Sequence, residues 1–426
     1  MEIREKIDSS KLRKESQEKS IPIVDLLLEK IRDISQKEKE RHTLFAVCPN
    51  SENVVKASLR AAKRANAPVL FAATLNQVDI DGGYTGWNQN DLVRKIKEQS
   101  YRIGYSGPII VAVDHGGPWV KDIQTTEKWD LDKSMNWIKK SFEAALEAGY
   151  DLLHVDPTVD IFNKDMKIET VVERSIELIS HTEKFRKLKK RKPISYEVGT
   201  EEVHGGLADI AVFKKFLKLL KNGLSKAGLD YVWPSFIVGK VGTDLHTTKF
   251  DPAVAKRLVN IAAGYGSYIK GHYTDFVANP GDYPRSGIGA ANVGPEFTVL
   301  EYEALNKLCH MEEELYKKNK ISVKSNFKKV LEKAVIESVR WKKWLKKGEN
   351  DFNSLGTTRK EIILKTSCRY VWANPEVKVS QYTLYMNMTN NGIDPDSWVL
   401  MEIESCIDKY FREFNLIDLN KKLDIN

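Results

Sequence analysis

Cysteine is scarce in this chain, with four residues in 426: Cys48, Cys309, Cys368 and Cys406. They stand far apart with no CxxC spacing, so a disulfide-stapled scaffold is excluded and reduced, intracellular thiols are expected. Long apolar runs are missing too. No stretch approaches the roughly 18 apolar residues of a membrane span. The opening "MEIREKIDSSKLRKESQEKS" alternates charges without the apolar segment of a secretory signal. The expectation is a cytoplasmic protein with no membrane partner. Short-period repeats and low-complexity tracts are absent. Charge of one sign is only mildly in excess, with 67 Lys and Arg against 59 Asp and Glu, a net +8. The one dense basic run, "EKFRKLKKRKP" at 183–193, reads as a helix end and a solvated linker rather than a nucleic-acid surface.

What is present is ordinary globular material, 42% apolar and 30% charged. From residue 43 it falls into a rhythm. Short apolar or β-branched runs at 43–48, 67–74, 108–114, 151–156, 193–198, 235–239, 267–271 and 289–294 alternate with amphipathic stretches such as "SENVVKASLRAAKRAN". Ser51 and Asp209 stand where helices would be N-capped, and Gly149, Gly228 and Gly264 where helices would stop. Strand and helix alternating eight times over 43–314 predicts an α/β fold, a (β/α)8 TIM barrel, with a doubly wound open sheet as its rival. Residues 1–42 read as a flexible N-terminal arm leading into one helix, "IPIVDLLLEKIRDI". Residues 315–426 read as a Lys-rich helical C-terminal region. Its Trp341, Trp344, Trp372 and Trp398 suggest a cap or an oligomer interface, and a homo-oligomer is expected.

In such a barrel every strand's C-terminal end opens onto one face, so residues distant in sequence can converge there. The third strand ends in Asp114 and His115, the fourth in His154 and Asp156, the fifth in Glu197 followed by "GTEEVHGG". His246 follows the sixth, and His272 and Asp275 follow the seventh. Imidazoles and carboxylates gathered at one mouth suit a first-row divalent metal. The best candidate ligands are His115, His246 and His272, with Glu201 as a fourth; His154 is expected inside the barrel and His204 on a mobile loop. Glycine-rich loops at 79–88, 115–117, 204–206 and 285–294 can bring backbone N–H groups to an anion, and Arg285 and Ser286 lie where this fold commonly holds phosphate.

Taken in order, "LNQVDIDGGYTGWN", "VDHGGP", "HVDPT", "VGTE", "GHYTDF" and "NVGPEFT" resemble the tagatose-bisphosphate aldolase GatZ/KbaZ-type subunit family, with a fainter likeness through "RYVWANPEVKVS" near 369–380. The resemblance implies a barrel related to class II aldolases, in which a divalent metal, with zinc the expected ion, polarises a ketose carbonyl. Carried over by position, Asp114 is the proton-transferring residue, His115, His246 and His272 hold the metal, and Glu201 is a catalytic group or a further ligand. Substrate or phosphate contacts are expected from Asn76, Gln77, Gly205, Gly206, Asp275, Arg285 and Ser286. The implied chemistry is retro-aldol cleavage between C3 and C4 of a ketose phosphate or bisphosphate of the tagatose or fructose type. Two alternatives stay open: a ketose 4-epimerase working with the same residues, and a non-catalytic subunit that stabilises a partner class II aldolase.

Overall fold

The computed structural model describes residues 7–163, 165–199, 208–243 and 249–426. Among them, eight parallel strands close into one barrel in sequence order. They are β1 (Leu44–Val47), β2 (Val69–Thr74), β3 (Ile109–Gly116), β4 (Leu152–Val155), β5 (Ser195–Gly199), β6 (Phe236–Val238), β7 (Tyr268–Gly271) and β8 (Ala290–Val293). β8 pairs with β1 through Leu44 opposite Ala290 and Val47 opposite Val293, so no sheet edge is left open. All eight coincide with the apolar runs, because strands covered on both faces read as nearly continuous hydrophobic stretches.

Local chemistry starts and stops the intervening helices. Ser51 accepts from the Val54 N–H ahead of Glu52–Ala65, and Asp209 from Ala211 and Val212 ahead of Ile210–Lys226. Gly149 ends Leu131–Ala148 in the left-handed conformation, as its position predicts. Gly264 keeps a right-handed conformation; the left-handed turn after Pro252–Ala263 falls at Gly266.

The N-terminal residues are not a loose arm. Two helices, Lys11–Lys19 and Ile23–Glu38, close the barrel at the N-terminal ends of its strands. The buried Arg13 guanidinium pairs with Asp8 and Asp151, each at 2.9 Å, and donates to the Ile109 carbonyl. Asp8 in turn accepts the Ile109 N–H at 3.0 Å, and Asp151 the Val111 N–H at 3.1 Å. Asp25 accepts from the hydroxyls of Ser195 and Ser235, at the feet of β5 and β6.

The C-terminal region is equally integral. The boundary expected at 314/315 falls inside one helix, Pro295–Lys317. The helix Pro395–Glu413 packs between Glu52–Ala65 and Pro295–Lys317, within the outer ring. Phe45 of β1 meets Tyr410, Phe411 and Phe414 at centroid distances of 5.7, 5.3 and 6.5 Å, and Thr43 donates its N–H to the Phe414 carbonyl. Barrel and C-terminal helices share one hydrophobic core.

Burial works against the charge of Asp151, yet Arg13 and Lys192 hold its carboxyl at about 2. Its folded value lies below the unfolded one of about 3.9. The stabilisation is therefore complete above about pH 4 and lost as pH falls toward 2. Arg13→Ala strands two buried carboxylates and is expected to cost about 3–5 kcal/mol, read from the urea midpoint at pH 7. An unchanged midpoint would show that the N-terminal helices lie outside the cooperative unit.

Candidate functional site

In a regular strand Asp114 and His115 would point to opposite faces. The register between β3 and β4 shifts between Val113 and Gly116, and His115 takes φ +49°. This bulge turns both side chains into the same cavity. The two glycines that follow are required by close approach. A Cβ on Gly116 would stand 2.4 Å from the Phe142 ring, and one on Gly117 would stand 1.7 Å from the Asp156 carbonyl oxygen. "DHGG" is therefore a device for folding β3 against the end of β4.

His115 Nδ1 meets Asp156 at 2.6 Å, and His272 Nε2 meets Glu197 at 2.8 Å. Both carboxyls are ionised: burial opposes the charge, but His115 holds Asp156 below its ordinary value, and Lys270, His154 and His272 bring Glu197 to about 2. An ionised carboxylate only accepts, so each ring donates its N–H outward. The inward nitrogens, His115 Nε2 and His272 Nδ1, then face each other at 3.0 Å. Burial pushes the His272 ring down to about 4, so it is neutral at pH 7. Two facing lone pairs repel; a proton on His115 or a cation between the rings removes the conflict. Two ligands ~2.0–2.1 Å from a tetrahedral ion stand roughly 3.3 Å apart, close to the spacing found. The outward carboxylates are the partners that orient metal-binding imidazoles.

Asp114 stands beside this pair, 3.8 Å from His272 Nε2 and 4.0 Å from Lys270 Nζ. It is buried, and its Oδ1, 3.5 Å from His154 Nδ1, makes no hydrogen bond among the described residues. Burial opposes its charge, but His115, His272, His154 and Lys270 hold it well below the carboxylate range. Asp114, His115, His154 and His272 each offer a ligand atom within 4.8 Å of the others, so the group can hold a metal ion. His154 Nδ1 already accepts the His115 N–H at 3.1 Å, which makes His154 a brace for the bulge. In a second group, Glu38, Glu40 and His42, both carboxylates pair with Lys422 and His42 Nδ1 meets the Asn415 carbonyl.

The cavity measures about 500 Å³. Barrel residues line one side of it, while Lys343, Trp344, Arg369 and Tyr370 of the C-terminal region line the other. Over residues 28–409 the chain matches the family described as D-tagatose-1,6-bisphosphate aldolase subunit GatZ/KbaZ-like. The chain belongs to this family. Among GatZ/KbaZ-like relatives, the D-tagatose-1,6-bisphosphate aldolase subunit GatZ of Escherichia coli O157:H7 (strain EC4115 / EHEC) is 26% identical over 374 residues, covering 82% of this chain and 85% of the relative. The protein of the same name from Klebsiella oxytoca is 26% identical over 390 residues, 85% and 89% of the two chains. In fold, the chain is similar to a probable tagatose 6 phosphate kinase from Sinorhizobium meliloti 1021, with TM-score 0.72, 20% identity and coverage of 87% and 100%. It is also similar to the fructose-bisphosphate aldolase Fba of Campylobacter jejuni, with TM-score 0.51, 12% identity and coverage of 93% and 95%.

Of the residues expected from the sequence, Asp114, His115 and His272 meet at this GatZ/KbaZ-like mouth. Asn76 and Gln77 line the cavity, but their amides are committed internally: Asn76 to Val120 and Asp122, Gln77 to Asn50 and Thr74. Asp275 also lines it, accepting the N–H groups of Gly294 and Glu296 and so occupying the place an anion would take at the start of Pro295–Lys317. Burial pushes its carboxyl up to about 7. Arg285 and Ser286 do not belong to the mouth. They sit on the short helix Asp282–Ser286, where the chain has already returned toward the foot of β8. Arg285 is exposed and paired with Asp282 at 2.8 Å, and Ser286 is buried outside the cavity wall. Glu201, Gly205, Gly206 and His246, with His204, lie outside the described residues. Sequence reasoning passed over Lys270, fully buried 2.6 Å from Glu197, although a lysine inside the apolar run "SYIKG" was its signal. It also passed over Arg369 and Tyr370, inside the stretch "RYVWANPEVKVS" that carried the fainter likeness.

Gly117→Ala is expected to destabilise the protein by about 3 kcal/mol or more, because its Cβ would overlap backbone rather than a movable side chain. The thermal midpoint checks this. A midpoint within 1 °C of the parent would show that β4 does not need this approach.

Proposed function

We propose that the chain is a metal-dependent lyase of the D-tagatose-1,6-bisphosphate aldolase type, cleaving the C3–C4 bond of a ketose phosphate or bisphosphate in the barrel mouth. The observation that carries this reading is the pair of imidazoles facing at 3.0 Å, each with its outer N–H given to an ionised carboxylate. His115 and His272 would hold the ion, with His246 as the third imidazole of the expected set. Zinc suits such donors. When bound, a divalent cation supplies Lewis-acid polarisation of the C2 carbonyl.

The chain's own residues supply the rest. Asp114, ionised and with no hydrogen bond to its Oδ1 among the described residues, takes the proton of the C4 hydroxyl as the C3–C4 bond breaks. C4 leaves as an aldehyde, and the electron pair left on C3 is delocalised toward the C2 oxygen. Lys270, between Glu197 and Asp114, keeps that corner of the site from accumulating negative charge. GatZ relatives are named as aldolase subunits, which supports a partner class II aldolase subunit for this chain.

His272→Ala is expected to reduce bound divalent metal from about one ion per protomer to none. Metal kept in full by that variant refutes the ligand assignment. Asp114→Asn is expected to lower triose release from tagatose or fructose 1,6-bisphosphate by about 10²–10⁴-fold while leaving metal content unchanged. The purified chain, alone and with metal, is assayed on tagatose and fructose 6-phosphates and 1,6-bisphosphates. Triose supports the lyase. Epimer exchange without triose makes it a 4-epimerase, and neither, with stabilisation of a partner aldolase, makes it a non-catalytic subunit.

A further inference from the structure

Arg369 lies on the cavity wall in the 3-10 turn Cys368–Tyr370, and the residue is only 7% exposed. Several other arginines of the chain come with carboxylates. Arg13 has Asp8 and Asp151, Arg64 has Glu404 and Asp408, and Arg359 has Glu349. No carboxylate among the described residues lies within ion-pair distance of Arg369. Its Nη2 donates to the Tyr370 hydroxyl at 3.1 Å, and the guanidinium stacks 5.2 Å from the Trp344 ring and 4.9 Å from the Tyr370 ring. Its buried Nη1 has no hydrogen-bond partner among the described residues.

A buried charge without a partner is costly, and native proteins keep one where a ligand completes it. The surroundings do not complete this one. Arg340 and Lys343, on the same side of the mouth, share the single carboxylate of Asp122, at 2.7 and 3.4 Å. Burial should raise the Tyr370 phenol, yet Arg369 and Lys343 hold it below its ordinary value, a sign of positive potential on this wall. Asp275 feels the charge of Arg369 but is outside ion-pair distance, and its carboxyl is turned to the backbone of Gly294 and Glu296.

We propose that Arg369, supported by Lys343, binds an oxyanion at one end of the substrate, so that the site takes a sugar bearing a phosphate or carboxylate rather than a neutral ketose. This assigns anion recognition to the C-terminal helical region instead of the loop carrying Arg285 and Ser286. The proposal deepens the reading of the mouth as a ketose site and rests on it for the identity of the sugar. The anion itself is argued from Arg369 alone. A planar guanidinium can meet an oxyanion with two parallel N–H donors, which a lysine cannot reproduce.

The test is equilibrium binding to the full chain by calorimetry, with tagatose 6-phosphate, tagaturonate, tagatose and inorganic phosphate as probes, and needs no turnover. The parent protein is expected to bind an anionic sugar at least tenfold more tightly than tagatose. Preference for the phosphate or for the uronate identifies which oxyanion Arg369 holds. Arg369→Met is expected to lose that preference by about 10- to 100-fold. It should keep or raise the thermal midpoint, because no internal carboxylate is orphaned. Arg369→Lys, which retains the charge should the Met variant fail to fold, is expected to weaken anionic-sugar binding several-fold without affecting tagatose. Equal binding of charged and neutral sugars by the parent, or an undiminished preference in both variants, overturns the proposal. Absence of lyase activity in any of these proteins bears on the proposed reaction and not on this inference.

Discussion

His115 and His272 face each other across the mouth of the barrel, and the carboxylates behind them decide what that contact means. Because Asp156 and Glu197 each accept the outer N–H of one ring, the inner nitrogens, 3.0 Å apart, need a proton or a cation between them. The surrounding residues hold that pair in place. The β3 bulge brings His115 into position, the His154 ring braces the bulge from β4, and Lys270 keeps Glu197 ionised from β7. Remove the ring closure of the sheet and these residues, spread from 114 to 272, have no reason to meet.

The two ends of the barrel differ in what they hold, with buried ion pairs at the feet of the strands and the cavity at their tips. At the feet, Arg13, Asp8, Asp151 and Asp25 clamp the starts of β3, β4, β5 and β6 with fully satisfied polar groups. At the tips, Asp114 Oδ1, His154 Nε2 and Arg369 Nη1 are buried without a hydrogen-bond partner among the described residues. The C-terminal helices join both ends. Tyr410, Phe411 and Phe414 cover β1, while Lys343, Arg369 and Tyr370 close over the cavity.

Much of the fold was legible because its rules are local. Each strand shows as an apolar run, and Ser51, Asp209 and Gly149 mark helix ends by side-chain chemistry that acts within one turn. Asp114, His115 and His272 were legible as polar residues placed where buried strands stop. Lys270 was not, since a lysine within an apolar run looks like a strand edge until its carboxylate partner, 73 residues earlier, is placed beside it. Arg285 and Ser286 were misplaced for a related reason. Their loop follows β7 in sequence, but the returning segment carries only a five-residue helix, so by residue 285 the chain is already near the foot of β8.

The amino-acid order determined the repeating strand–helix pattern, the helix caps and the polar residues that end each strand, because these depend on neighbours within a few positions. Only the closed tertiary structure decided which of those residues share a cavity. Facing nitrogens, carboxylates behind imidazoles and an arginine against the barrel's cavity are relations between segments far apart in the chain, and they exist only once the ring of strands has closed and the C-terminal helices have folded back over its mouth.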